Sequence, residues 1–564
     1  MFKKNKKHLQ PILISSINEL PEEMRQHLDS SWAGVFYREF FCRLDEEPFA
    51  VLYADVPSRP NVPVNVLVGL EFLKAGFGWS DEEMYEAFLY HLQVRYAVGY
   101  DEFGTGYFDL RTLYYFRERL SRYMQEHGVN LLSRAFEQIT DQQLAAFQVK
   151  TNLQRMDSTM VASNIEQVGR LQLLVEVLQR VHRMLSKQEQ KHYADVFAPY
   201  VQGHAGQYVY RLKREEFAGH VQKIGEVISQ LLCELKKRYR NDPIYQVLER
   251  VFSEHYRLAG TTVKAKTNRE LSATCLQSPD DLEATFRYKG RKGYQGYVAN
   301  CTETCNPQNK LQLITKMQVA PNHTDDPRLL VEALPNLKQR TQLDTLYTDG
   351  GHSGPGPDAI LDELHVTQIQ TGIRGRIRNV EKLSLSDFAI QLNSDGKPEQ
   401  VTCPMDQTVP LFLARRKGGV VGFFDPAICN HCSIHMTGRC PTRFSIEKQC
   451  PKIYFSFYRA HSSQRRRQCL LRKNEPHNLR ASIEATIWSL KHPFPAGKLP
   501  VRGLFRMTCL LIGSAGLINI RRIQHFLVGE SQEGRSGDPS ISYDKAYFLS
   551  SMGAFQVSNR FVSF

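Results

Sequence analysis

Five residues offer the chemistry around which this sequence can be read: Asp157, Asp349 and Glu484, with Arg480 and Lys491 flanking the last acid. Carboxylate oxygens are ligands for hard divalent cations, and three carboxylates brought together can hold two Mg2+ ions about 4 Å apart, with Mn2+ as a substitute. Such a pair activates a water or a 3′-hydroxyl on one side and stabilises the leaving oxygen of an in-line phosphoryl displacement on the other. Arg480 and Lys491 suit the same task, because a guanidinium grips phosphate through two donors while an ammonium acts as a point charge. Their spacing, with Arg480, Glu484 and Lys491 at i, i+4 and i+11, predicts one face of a helix. Alone, that stripe would be an ordinary solvated face with weak ion pairs, and each aspartate an ordinary turn or cap residue.

Four cysteines form a second constellation, Cys403-x25-Cys429-x2-Cys432-x7-Cys440. The Cys429-Asn430-His431-Cys432 knuckle can present two thiolates to one tetrahedral Zn2+, with Cys403 and Cys440 completing the shell. His431, His435, Cys450 and Cys469 are rival ligands, and scattered free thiols are the alternative. A zinc here would be structural, stapling a segment of little periodic apolar pattern and presenting Arg415, Arg416, Lys417, Arg439 and Arg443 to a polyanion. The 12 cysteines are clustered, and no convincing export signal follows the basic start Met1 to Lys7, so a reducing cytoplasm fits better than a disulfide framework.

The elements that must position these groups follow from hydrophobic period and punctuation. Residues 1–145 read as helical, with a capping box at Ser80 and Glu83 and an apolar stripe through Met84, Phe88, Leu92 and Tyr96. After Gly99, Gly104 and Gly106, Asp109 is placed to cap a basic helix carrying Arg111, Arg117, Arg119 and Arg122, an arrangement compatible with DNA binding or with plain helical packing. Asp157 falls on or at the end of a strand in 146–164, and helical period returns over 165–259 as an insertion. Within 260–371 come a β-meander from Thr285 to Val319, a helix from Pro327 to Arg340 and a strand ending at Asp349. A short helix from Asp358 and a strand from Val366 to Gln370 complete it. Residues 372–470 read as an irregular, basic, cysteine-containing insertion, 471–528 as helices beginning with Asn478 to Lys491, and 529–564 as a flexible tail. The apolar Cys509 to Ile520 stretch is shorter than the roughly 20 residues that span a bilayer and reads as a buried helix.

Composition bounds the answer. Of 564 residues, 42% are hydrophobic and 23% charged, which excludes a wholly disordered, collagen-like or membrane-embedded chain. The net charge of +13 favours a polyanionic partner, nucleic acid ahead of an anionic membrane surface.

A strand bearing Asp157, a meander, a helix, a strand ending at Asp349, a short helix, another strand and a helix bearing Glu484 is the element order of a ribonuclease H-like fold. On that order, and on Arg480-x3-Glu484-x6-Lys491, the chain resembles the DDE-type transposases of bacterial insertion sequences, in the branch whose last acid lies in Tyr-x2-Arg-x3-Glu-x6-Lys. Pro63 to Leu120 is similar to their helical N-terminal domain, Arg155-Met156-Asp157-Ser158-Thr159 to their first acid, and Tyr347-Thr348-Asp349-Gly350-Gly351-His352 to their second. Arg502-Gly503 and the helix of Ala515, Asn519 and Arg522 resemble the usual ending, so the likeness runs from about residue 40 to 525. The family's tyrosine position holds His477, which can donate to phosphate with a charge that varies with pH.

The resemblance implies an α/β fold, with a ribonuclease H-like mixed sheet, a helical insertion and an all-α N-terminal DNA-binding domain. It implies Asp157, Asp349 and Glu484 as catalytic Mg2+ ligands, and cysteines like these occur before the last acid in some members. The expected activity is transposition: binding of terminal inverted repeats, strand cleavage, and transfer to target DNA. Synapsis of two ends suggests a homodimer or higher assembly, expected to act in the bacterial cytoplasm at the nucleoid and without a membrane. Phosphate contacts are expected from Arg480, Lys491 and His477, and from Arg465, Arg466 and Arg467, supported by Arg472, Lys473, Arg374, Arg376 and Arg378. Trp488 is expected to be buried rather than free to stack on a base, and His352 to be a polar turn residue rather than a metal ligand. The alternatives are a DNA-binding protein derived from such an enzyme and no longer cutting, and a metal-dependent nuclease without strand transfer.

Overall fold

The computed structural model describes residues 1–9, 15–54, 60–100, 102, 104–260, 262–290, 292–371, 381–393, 396–414, 418–471 and 479–533. Its centre is a mixed sheet of α/β type. Strand β1 (Leu153–Val161) pairs antiparallel with β2 (Lys292–Thr304), which pairs antiparallel with β3 (Ile314–Pro321). On its other side β1 runs parallel to β4 (Thr345–Thr348), and β4 runs parallel to β5 (Thr367–Gln370). The order is therefore β3-β2-β1-β4-β5, with an extra strand, Thr285–Lys289, on the first half of β2.

Both faces of the sheet are covered. Met156 and Leu346 pack against Leu330, Ala333, Leu334 and Leu337 of the helix Asp326–Arg340, whose N-cap Asp325 accepts from Arg328 N at 3.2 Å. The opposite face meets α2 (Ile483–Lys491) and α3 (Leu504–Glu533), and α1 (Val64–Phe77) packs on α3. Helix α3 is long and apolar enough to cross a membrane by length and composition, but here Leu511, Ile512, Ala515, Leu517 and Ile520 lie in the protein core. Glycines let α1 and α3 approach closely, since a Cβ at Gly76 would stand 2.2 Å from the Leu517 side chain and one at Gly513 would stand 2.7 Å from Ala75. Asn519 of α3 then clamps β3, accepting from Ile314 N at 2.8 Å and donating to Ile314 O at 2.9 Å.

The N-terminal helices share this core, which runs across residue 145 without a break. The capping box forms as expected, with Glu83 N donating to Ser80 Oγ at 3.1 Å and Ser80 N to Glu83 Oε2 at 2.7 Å. The stripe through Met84 and Phe88 does not continue to Tyr96 in one helix, because the backbone turns extended at His91 and a separate helix starts at Leu92. In the basic helix Arg111–His127, Arg117 is committed inward, to Glu71 at 2.7 Å and Asp81 at 2.6 Å. The insertion has its own core, from Leu171 and Leu178 on the helix Arg170–Met184 to Ile228 and Leu231 on Phe217–Tyr239 and Leu248 on Pro243–His255. A small hairpin, Tyr256–Ala259 with Thr262–Ala265, follows that last helix.

Two further sequence expectations change. The segment read as irregular folds into a six-stranded sheet, in space Arg443–Ser445, Cys450–Ser456, Gly419–Phe423, Thr408–Leu413, Pro398–Thr402 and Ala389–Leu392, every pair antiparallel. Each strand is short and contributes only one to a few buried residues, such as Val401, Val409, Val420, Ile453 and Phe455, so no period stands out in the sequence. The tail expected from 529 does not begin there, since α3 continues to Glu533; residues 534–564 lie outside the described residues.

Candidate active site

Parallel pairing brings two of the acids to one place. Arg155 of β1 faces Tyr347 of β4, so Asp157 and Asp349, two residues further along each strand direction, reach the same level of the sheet. Asp157 is buried, and its Oδ1 accepts from Ser158 N at 2.9 Å. Asp349 caps the turn Gly350–His352, its Oδ1 accepting from Gly351 N at 2.9 Å and from His352 Nδ1 at 2.7 Å. Glu484 enters from the first turn of α2 with its side chain 70% exposed. Arg480 joins the groups, at 3.4 Å from Asp157 Oδ2 and 3.4 Å from Glu484 Oε1. Helix α2 begins only at Ile483, so Arg480 acts from the preceding turn and not from the helix face that its spacing predicts. Lys491, at the other end of α2, donates to Thr159 Oγ1 at 2.5 Å, on the same face of β1 as Asp157.

The two aspartates differ electrostatically. Burial, with the neighbouring Asp349 carboxylate, pushes Asp157 up against the pull of Arg480. Burial also works upward on Asp349, but the His352 hydrogen bond, the Gly351 amide and Arg480 outweigh it and hold this acid at about 2. Burial lowers Lys491. A divalent cation among these oxygens would relieve the repulsion that raises Asp157, and an all-carboxylate donor set fits a hard ion such as Mg2+.

A fourth carboxylate, which the sequence reading missed, borders the pair. Asp326 is 2% exposed and accepts from Ser158 Oγ at 2.7 Å. Gly351 separates it from Asp349, and a Cβ there would stand 2.7 Å from Asp326 Oδ2 and 2.9 Å from Asp349 Oδ1. Its position beside Asp325 and Pro327 reads as a helix start, which hides it. Also missed was the network behind α2. Glu303 of β2, 0% exposed, accepts from Arg155 Nε at 2.7 Å, Arg522 Nη1 at 2.7 Å and Thr486 Oγ1 at 2.8 Å. Arg155 also donates to Leu479 O at 2.6 Å, so one buried anion ties β1, α2, α3 and the Arg480 turn together.

Other predicted residues fare differently. Trp488 is 64% exposed, not buried, and its ring meets His492 at a tilt of 43°, with centroids 4.3 Å apart. His352 lies in the turn Gly350–His352 and is fully buried behind Asp349. Arg465, on the helix Phe457–Leu471, is paired with Asp358, so it serves the fold rather than a free surface; Arg466 and Arg467 follow it half-buried. His477, Arg472, Lys473, Arg374, Arg376, Arg378, Arg415, Arg416 and Lys417 lie outside the described residues.

The cysteine quartet converges. Burial raises Cys429 to about 11, and Cys440, Cys403 and Cys432 add to the rise. Cys450 is buried, and Cys469 donates to Gln370 O at 2.6 Å in the central sheet. His431 Nδ1 lies 2.8 Å from Ala427 O and His435 Nδ1 lies 3.1 Å from Thr442 Oγ1. Among the described residues, only Glu254, His255 and Cys275 bring three such ligand atoms within 4.8 Å of one another, so the quartet and the acids are more open.

Comparison with family models, with curated proteins and with solved structures returned no match.

Proposed function

We propose that this chain is a DNA transposase of the DDE type, acting on the terminal inverted repeats of an insertion sequence in the bacterial cytoplasm. One observation carries the reading: Asp157 and Asp349 lie at the same level of adjacent parallel strands, and Arg480 links Asp157 to Glu484 at 3.4 Å each. The strand order β3-β2-β1-β4-β5, with only β2 reversed against β1 and β3, supports a ribonuclease H-like core, and the net charge of +13 suits a DNA partner.

In this reading Asp157, Asp349 and Glu484 hold Mg2+, which supplies activation of the attacking oxygen and stabilisation of the leaving one. Arg480 and Lys491 bind the phosphate beside the acids, and the exposed Glu484 helix meets the DNA. His352 fixes the Asp349 carboxylate through its 2.7 Å contact. The four cysteines bind a structural Zn2+ that braces the second sheet. Synapsis requires at least two copies of the chain.

The test is Mg2+-dependent cleavage and joining of a plasmid carrying the gene's flanking DNA. The native chain is expected to cut and join, while Glu484→Gln and Asp349→Ala bind the ends and do neither. Retained cleavage in either variant sinks the proposed roles. Cutting without joining would identify a nuclease, and tight binding without cutting by the folded native chain would identify a binding protein.

A further inference from the structure

A second group of ligand atoms lies where the last long helix of the insertion meets the loop that follows it, outside the acid cluster and outside the cysteine quartet. Glu254 and His255 end the helix Pro243–His255, and Cys275 lies in the loop between the small hairpin and the strand Thr285–Lys289. Their ligand atoms all fall within 4.8 Å of one another. His255 is 3% exposed, and neither of its ring nitrogens has a hydrogen-bond partner. A buried imidazole with no partner on either nitrogen is costly, and an ion bound by one nitrogen beside the Glu254 and Cys275 ligand atoms would supply one.

The surroundings orient the donors. Glu254 Oε1 accepts from Arg250 Nε at 2.8 Å and its Oε2 accepts from Leu276 N at 2.7 Å, which aims the carboxylate while leaving lone pairs over. The His255 carbonyl accepts from Arg170 Nη2 at 2.8 Å and Lys266 N at 2.9 Å, which holds the helix end in place. Cys275 is 5% exposed, and a thiolate there with the Glu254 carboxylate would balance a divalent charge amid these cations.

We propose that Glu254, His255 and Cys275 bind one Zn2+ ion, with water as the fourth ligand. One sulfur, one imidazole nitrogen and one carboxylate oxygen form a donor set that suits Zn2+ and disfavours Mg2+ or Ca2+. The Cys275 thiol proton passes to solvent on binding. The ion fastens the insertion's last long helix to the loop that enters the central sheet, and this role holds whether or not the chain acts on DNA.

The test removes the quartet first. In a full-length chain carrying Cys429→Ser and Cys432→Ser, stripped with chelator and resupplied with Zn2+, one bound equivalent is expected by atomic emission. Co2+ substitution is expected to show thiolate-to-metal charge transfer. Adding Cys275→Ser should abolish both signals, with circular dichroism checking that the helices persist. If Cys275→Ser unfolds the chain, the partly exposed Glu254→Gln replaces it, with zinc affinity lowered about tenfold or more. No bound equivalent in the quartet variant, or an equivalent and affinity that these substitutions leave unchanged, overturns the proposal.

Discussion

Glu303→Gln keeps the shape of a fully buried side chain and removes its charge, so it isolates the work of the anion behind α2. Two guanidiniums and a hydroxyl donate to this carboxylate, and the glutamine would turn an amide donor toward groups that are themselves donors. Removing one partner of a buried ion pair costs about 3–5 kcal/mol. Arg522 keeps 26% of its side chain exposed and lines a cavity of about 700 Å3, so water can take over part of its bonding. The expected loss is therefore at the lower end, about 3 kcal/mol. Thr486→Val deletes only the hydroxyl that also accepts from Arg522 Nη2 at 2.5 Å, and should cost about 1–2 kcal/mol. Urea unfolding followed by tryptophan fluorescence reads both regions, because Trp32 and Trp79 pack on the large core and Trp488 rides on α2. A loss below about 1 kcal/mol for Glu303→Gln, or a larger loss for Thr486→Val than for Glu303→Gln, would refute the reasoning.

Gly76→Ala should destabilise the packing of α1 on α3 by about 1–3 kcal/mol, since the new methyl meets Leu517 at 2.2 Å; unchanged thermal unfolding would count against that close approach. Asp81 titrates in a definite direction: burial raises it, but Arg117 and Lys74 outweigh burial and hold it at about 2 in the folded protein, against an ordinary value of 3.8. Protons therefore bind the unfolded chain more readily, and this stabilisation is present above about pH 4 and lost as pH falls toward 2. It amounts to about 2 kcal/mol, and the stability gap between native and Asp81→Asn chains should close over that range; a gap constant from pH 5 to 2 would exclude the linkage.

Much of the local structure was legible in the sequence because its signals are local. The capping box needs only Ser80 and Glu83, three residues apart, and the strand before Asp349 is punctuated by the Gly350-Gly351 turn that follows it. Glu484 and Lys491 lie on one helix because seven residues are close to two turns. The start of that helix was misread, since nothing local marks Ile483 rather than Asn478 as its beginning. Trp488 was misread too, because an aromatic at helical spacing looks the same whether its face meets a core or solvent.

What the chain order alone determined was the alternation of elements, the types of residue at their ends and the sign of the net charge. Tertiary structure decided who meets whom. Arg155 reaches Glu303 across 148 positions, Thr486 reaches it across 183, and Ser158 finds Asp326 across 168. Such partners are chosen by strand register and by helix docking on the sheet, and a shift of one residue would turn each side chain to the opposite face. Side-chain identity is written residue by residue, whereas burial and partnership exist only once distant segments have paired, because desolvation and hydrogen bonding depend on the neighbours that pairing supplies.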